Sequence, residues 1–199
     1  MTFPVAGVAY NAASFTAGCG TGGVGDICGT VVDTGSGVSA VRVSLRQGGG
    51  LYWNGTSFAS ISEVLLTPTG TTSWTYAFAV ASFPANGSYT ARTVGTNGAG
   101  ATTSVSTTFT IDLLAPPAPA GTASVTNPTT ATTATFTFAD TESGVVVFKC
   151  QLDGSAYTPC SSPKTYTGLT PGSHTFRVLA EDLAGNQSGA VGYTWLQTA

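Results

Sequence analysis

The sequence predicts an all-β chain made of two tandem antiparallel β-sandwiches. Three observations carry that reading: an apolar period of two, two landmarks that recur in the same order, and a proline-rich break between the copies. In Val41-Arg42-Val43-Ser44-Leu45 the apolar residues share one face while Arg42 and Ser44 share the other, which is how a half-buried strand reads. Phe148, Cys150 and Leu152 repeat the phase against Lys149 and Gln151. Ala134, Phe136 and Phe138 alternate with threonines, and His174, Phe176, Val178 and Ala180 alternate with Thr175, Arg177, Leu179 and Glu181. No window of a dozen residues carries the spacing of an amphipathic helix, and Ser60 to Leu66 is the one stretch expected to make a helical turn. Turn signals at Asn54-Gly55, Asn86-Gly87, Asp153-Gly154 and Pro171-Gly172 separate the short apolar runs.

The first landmark, Asp33-Thr34-Gly35-Ser36-Gly37-Val38, returns as Asp140-Thr141-Glu142-Ser143-Gly144-Val145. The second, Gly87-Ser88-Tyr89-Thr90 with Arg92 and Asn97-Gly98-Ala99-Gly100, returns as Gly172-Ser173-His174-Thr175 with Arg177 and Asp182-Leu183-Ala184-Gly185. The landmarks stand farther apart in the first copy by about 22 residues, which places an insertion between 46 and 82. Between the copies, Ala115-Pro116-Pro117-Ala118-Pro119 lacks the backbone donors a sheet needs. The expected organisation is therefore a sandwich at 1–114, a linker at 115–120 and a second sandwich at 121–199.

Composition narrows the function. Charged residues are 8% of the 199, against about 25% in an ordinary domain, and the formal charge is −3 with only six lysines and arginines. Such a chain cannot neutralise a run of phosphates, so nucleic acid is excluded as a partner. With 42% hydrophobic residues it should fold rather than stay disordered. No apolar run approaches the roughly 20 residues of a membrane span, and no signal segment opens the chain, so Met1 reads as the start of a piece of a longer protein.

Cys19 and Cys28 lie close in sequence, as do Cys150 and Cys160, one pair per copy. Four cysteines allow three pairings, and the domain boundary favours the two local ones. In the second copy the Asp153-Gly154 turn brings Cys160 back beside Cys150, a hairpin disulfide. Zinc is the rival, but no Cys-x-x-Cys spacing and no neighbouring histidine support it. Disulfides place the chain in an oxidising compartment, secreted or at the cell surface.

With Phe148-Lys149-Cys150-Gln151-Leu152-Asp153-Gly154, Tyr157-Thr158-Pro159-Cys160, Leu169-Thr170-Pro171-Gly172-Ser173-His174-Thr175-Phe176-Arg177-Val178 and Glu181-Asp182-Leu183-Ala184-Gly185-Asn186, the second copy resembles the Ig-like repeats of large bacterial surface proteins. The likeness covers nearly all of 121–199; the first copy is similar more loosely. The resemblance implies tandem Ig-like sandwiches that extend and space other modules of the same polypeptide in an exported adhesin, without catalysis. His174 then occupies the slot of Tyr89, a corner that in such sandwiches holds a tyrosine bonded to nearby backbone.

Two further groups are candidates for ligands. In an Ig-like sandwich the loops holding Asp140 and Glu142, and Glu181, Asp182 and Asn186, share one end, where domain one leads in through Asp112. Asp112, Asp140, Glu142 and Asp182 are thus a candidate Ca²⁺ site, since that ion takes six to eight oxygens. The competing reading makes Asp140 and Asp182 caps of their own turns. Tyr52, Trp53 and Phe58, around the Asn54-Gly55 turn, are the candidate contacts for a glycan or protein ligand, with Trp53 expected to be exposed and Trp74 in the core. Asn54, Asn86 and Asn186 begin formal glycosylation sequons that coincide with turns. No nucleophile elbow, phosphate loop or metalloprotease motif is present.

Overall fold

The computed structural model describes residues 1–20, 25–142 and 147–199; Ser143, Gly144 and Val145 of the first landmark's second copy lie outside them. The chain divides into two compact units, Met1–Leu113 and Leu114–Ala199.

Unit 1 runs β1 (Ala9–Tyr10), α1 (Ala12–Ala17), β2 (Asp26–Thr30), β3 (Val38–Gln47), β4 (Tyr52–Trp53), β5 (Phe58–Ser60), β6 (Thr69–Gly70), β7 (Ser73–Ala77), a 3₁₀ turn at Val80–Ser82, β8 (Gly87–Asn97) and β9 (Thr102–Ile111). One sheet has the order β1-β9-β8-β3-β4-β5 and the other β2-β7-β6. The alternation read from sequence sets the faces: Val41, Val43 and Leu45 of β3 are buried with Tyr89, Ala91, Phe109 and Ile111 of β8 and β9. The core is strongly aromatic, and Phe83 lies 4.6 Å from Tyr89 and 5.0 Å from Phe15, centroid to centroid. Edge-to-face ring pairs of this kind add to the burial of their area.

Two local expectations fail in unit 1. Helix α1 was not anticipated because it is one and a half turns long with Phe15 as its single buried residue. Its start is nevertheless written in the chain, since Asn11 Oδ1 accepts from Ser14 N at 2.8 Å and Ser14 Oγ accepts from Asn11 N at 3.0 Å. Ser60 to Leu66 does not form a helical turn. There Leu66 exchanges two backbone hydrogen bonds with Val43, at 2.9 and 2.8 Å, and Glu63 accepts from Ser44 and Arg92, so strand pairing wins over the helical turn.

Unit 2 runs β10 (Ala120–Ala123), β11 (Ala134–Ala139), β12 (Val147–Leu152), β13 (Thr158–Cys160), β14 (Lys164–Tyr166), β15 (Gly172–Glu181) and β16 (Val191–Gln197). Its sheets have the orders β10-β11-β14 and β13-β12-β15-β16. Phe136 stacks on Phe176 across the sandwich at 4.0 Å, and Trp195, 1% exposed, closes the layer. Strands β3, β8 and β9 of unit 1 take the places of β12, β15 and β16, and β2 with β7 those of β11 with β14, which is the internal repeat in three dimensions.

Both cysteine pairs are disulfides. Cys19–Cys28 ties the segment after α1 to β2, and Cys150–Cys160 joins the β12–β13 hairpin, in which Phe148 faces Cys160 and Cys150 faces Thr158.

Candidate functional site

The corner at the start of β8 and β15 is built twice with different chemistry. Tyr89 Oη donates to the Ala85 carbonyl at 2.6 Å, and His174 Nε2 lies 2.8 Å from the Thr170 carbonyl, each contact reaching back four residues. His174 Nδ1 is also 2.7 Å from Asp153 Oδ2, while Asp153 Oδ1 accepts from Thr175 N at 2.8 Å. Asp153 holds a left-handed backbone, φ 52°, followed by Gly154 at 75°, the pair of angles a two-residue Asp-Gly hairpin turn requires. The hydrogen bond that His174 donates to Asp153, helped by the one to the Thr170 carbonyl, raises the His174 pKa above the ordinary histidine value. Asp153 as the partner was missing from the sequence reading. Only the β12–β15 register, Leu152 opposite Phe176, brings the turn to the histidine.

The acidic candidates are engaged in local structure. Asp33 Oδ1 accepts from Gly35 N at 2.7 Å and Ser36 N at 3.1 Å, and the Asn97 side chain, with those amides, holds its pKa below the usual carboxylate range. Asp140 Oδ1 accepts from Glu142 N at 2.8 Å in the same two-residue pattern. Asp182 Oδ1 accepts from Asn186 N at 2.9 Å and Oδ2 from Asn186 Nδ2 at 2.8 Å, so both oxygens close one turn. Within unit 2 a carboxylate oxygen of Glu142 comes within 4.8 Å of one of Asp182. Asp112, in unit 1, accepts from Asn86 Nδ2 at 2.6 Å. Glu181 pairs with Lys149, which lowers its pKa, and also accepts from Gln187. Glu63 is lowered chiefly by the Ser44 hydroxyl and further by Arg92.

The expected exposure of Trp53 in the insertion is corrected. Trp53 is 7% exposed rather than open, its ring 4.9 Å from Phe78 and 5.4 Å from Phe58, and its indole N–H donates to Tyr76 Oη at 3.0 Å. The Asn54-Gly55 turn returns the chain so that Trp53 and Phe58 pack together on the core, since the indole gains more from those rings than from water. Phe58 is half-buried, and Tyr52 stays half-exposed under the Arg46 guanidinium, 5.1 Å from its ring centre. Trp74 is in the core as expected, 1% exposed. The Asn54 side chain caps its turn, accepting from Thr56 N and Ser57 N at 2.9 Å each.

Each unit has an open cleft. In unit 2 a cavity of about 230 Å³ is lined by Phe136, Phe138, Phe176, Val191 and Tyr193 beside Gly121 of β10. In unit 1 one of about 170 Å³ is lined by Val31, Val32, Val38, Gly95 and Thr103. Each is smaller than an ordinary ligand pocket, roughly 300–1,000 Å³.

No protein-family model matches this chain, and no curated protein matches it in sequence. Among solved structures, the fibronectin(III)-like modules of CbhA from Clostridium thermocellum are similar, with a TM-score of 0.56, 17% identity, and coverage of 98% of this chain and 92% of that one. A Ca²⁺-stabilized adhesin with which an Antarctic bacterium binds ice is matched at a TM-score of 0.45 and 17% identity, over 97% of this chain and 49% of that one. The fold is thus an all-β sandwich of the immunoglobulin and fibronectin(III)-like kind.

Proposed function

We propose that this chain is a non-catalytic structural segment of an exported bacterial surface protein or adhesin, whose two sandwiches hold neighbouring modules of the same polypeptide apart. The observation that carries the reading is how the scarce charged side chains are used. Asp33, Asp140 and Asp182 cap turns, Asp153 anchors a corner, and Glu63 and Glu181 tie strands together, so the acids serve the fold. General acid–base or nucleophilic chemistry needs such groups aimed at a shared reaction space, and these bond the backbone of their own turns or the side chains of neighbouring strands. The likeness to fibronectin(III)-like modules supports the architecture, and two disulfides fit an oxidising, extracellular setting. No helix among the described residues is long and apolar enough to cross a membrane.

The rival reading is a glycan- or protein-binding module that uses Tyr52 and its surroundings. A glycan array probed with the full chain separates the two. The spacer reading expects no saturable signal; a dose-dependent hit that Tyr52→Ala abolishes would replace it with the binding module.

A further inference from the structure

Three asparagines stand directly before a glycine: Asn54, Asn86 and Asn97, all in unit 1. In that dipeptide the asparagine side chain is open to attack by the next backbone nitrogen, because glycine has no Cβ to crowd the approach. The reaction needs an N–H free to give up its proton, a leaving nitrogen that nothing holds, and donors for the charge that gathers on Oδ1. The fold supplies these unequally.

At Asn97 the attacking group is engaged, since Gly98 N donates to the Gly37 carbonyl at 2.9 Å. At Asn86 the leaving group is engaged: Nδ2 donates to Asp112 Oδ1 at 2.6 Å, and Gly87 is paired with Ile111 at the head of β8. At Asn54 neither is held. The Gly55 N–H and Asn54 Nδ2 have no hydrogen-bond partner among the described residues, and both residues are exposed to water. Asn54 Oδ1, by contrast, accepts from Thr56 N, Thr56 Oγ1 and Ser57 N, each at 2.9 Å. Backbone N–H groups can bond only to the oxygen of the side-chain amide, so it is the oxygen that faces them. Donors at this distance from an oxygen about to carry negative charge are the arrangement that lowers the barrier to acyl transfer.

We propose that Asn54 is a self-modification site, where folded unit 1 converts its own asparagine to aspartate or isoaspartate while it shields Asn86 and Asn97. Solvent base removes the Gly55 N–H proton as that nitrogen bonds to Asn54 Cγ, and Oδ1 takes the negative charge against its donors. The Cγ–Nδ2 bond then breaks, Nδ2 takes a proton from water and departs as ammonia, and a cyclic succinimide is left. Water opens the ring. Cleavage between the nitrogen and Cγ gives aspartate; cleavage between the nitrogen and the main-chain carbonyl carbon gives isoaspartate, with the chain now running through the side chain. Either product adds a negative charge to the turn between β4 and β5. Isoaspartate also lengthens the main chain by a methylene, in a hairpin whose pairing rests on Tyr52 with Ser60 and Trp53 with Phe58.

The test keeps the full chain in mildly alkaline buffer, folded and in guanidinium chloride, while peptide mapping follows asparagine, aspartate and isoaspartate at the three sites over time. In denaturant the three are expected to convert at similar rates, since each is the same dipeptide. In the folded chain Asn54 is expected to convert about tenfold or more faster than Asn86 and Asn97. Thr56→Val, which removes one donor and keeps the branched shape, is expected to slow Asn54 by about threefold or more in a chain that retains the wild-type melt. Equal rates at the three sites of the folded chain, an Asn54 that outlasts either of the others, or a Thr56→Val rate equal to that of wild type would overturn the site.

Discussion

The His174 imidazole faces the Asp153 carboxylate at 2.7 Å on one side and the Thr170 carbonyl at 2.8 Å on the other. Both neighbours accept hydrogen bonds, so both ring nitrogens must donate, and only the imidazolium has two protons to give. Neutral imidazole leaves one acceptor unserved. Tyr89 makes the equivalent contact with a hydroxyl that stays protonated, since burial raises its pKa beyond that of ordinary tyrosine.

A pH dependence confined to unit 2 follows. The folded-state pKa of His174 is raised, so its contribution is fully present below the unfolded value of about 6.5 and is lost as pH rises through the folded value. The groups facing the ring are Asp153, the Thr170 carbonyl and the Trp195 ring, with Tyr166 near Asp153. Glu63, Glu181 and Asp33, lowered in the fold, lose their contributions only as pH falls through the carboxylate range, so the interval from about pH 5.5 to 9 isolates the histidine. Calorimetry should show the unit 2 transition falling across that interval in wild type and level in His174→Tyr. A level wild-type profile would refute the imidazolium.

The hairpin disulfide should be worth about 2–3 kcal/mol, because it closes a short loop around a buried cysteine. Replacing Cys150 and Cys160 together by alanine should lower the unit 2 melting temperature by roughly 10 °C or more in a unit of this size. Peptide mapping of the oxidised chain should recover Cys19 joined to Cys28 and Cys150 to Cys160.

Trp53→Ala should destabilise unit 1 by about 3–5 kcal/mol, the cost of a large aromatic side chain removed from a packed core. Its indole should resist acrylamide quenching in the folded chain. Efficient quenching at Trp53, read in a variant with Trp74 and Trp195 replaced by phenylalanine and confirmed to fold, would return this ring to the surface.

Asp182→Ala removes acceptors from two Asn186 hydrogen bonds and should cost about 1–2 kcal/mol. As a turn cap, Asp182 gives the same loss in millimolar Ca²⁺ and in chelator, and neither condition shifts the wild-type melt. A wild-type melt raised by Ca²⁺, with the rise abolished in Asp182→Ala, would favour the cation reading of Glu142 and Asp182 over the turn cap.

The long strands were legible because one face of each turns to the core: β8 buries every second residue from Tyr89 to Gly95, β3 and β15 do so with Ser44 and Leu179 buried as well, and β12 buries Cys150. The corner shared by Tyr89 and His174 was legible as well, since a Gly-Ser landmark precedes both. What escaped is whatever tertiary contact decides. Trp53 lies in a two-residue strand too short for a period, and its burial is set by Phe78, far along the chain. Leu66 looked helical locally yet is claimed by the edge of β3. Asp153 read as a turn residue because the register that delivers it to His174 is not visible in either segment alone.

In each unit an early segment and the last strand run side by side in the same direction. In unit 1, Ala9 and Tyr10 pair parallel to Thr110 and Ile111; in unit 2, Thr129 pairs parallel to Gln197, with Thr129 N donating to Leu196 O at 3.0 Å and Thr198 N to Thr129 O at 2.8 Å. When tension applied through the two ends of a unit reaches these parallel segments, they are dragged past each other lengthwise. Their hydrogen bonds, lying across the pull, are then loaded in shear and must yield together, whereas an antiparallel hairpin pulled from its open end would give way one bond at a time. Forced unfolding is governed by the unfolding rate, so a small clamp of this geometry resists tension out of proportion to its contribution at equilibrium.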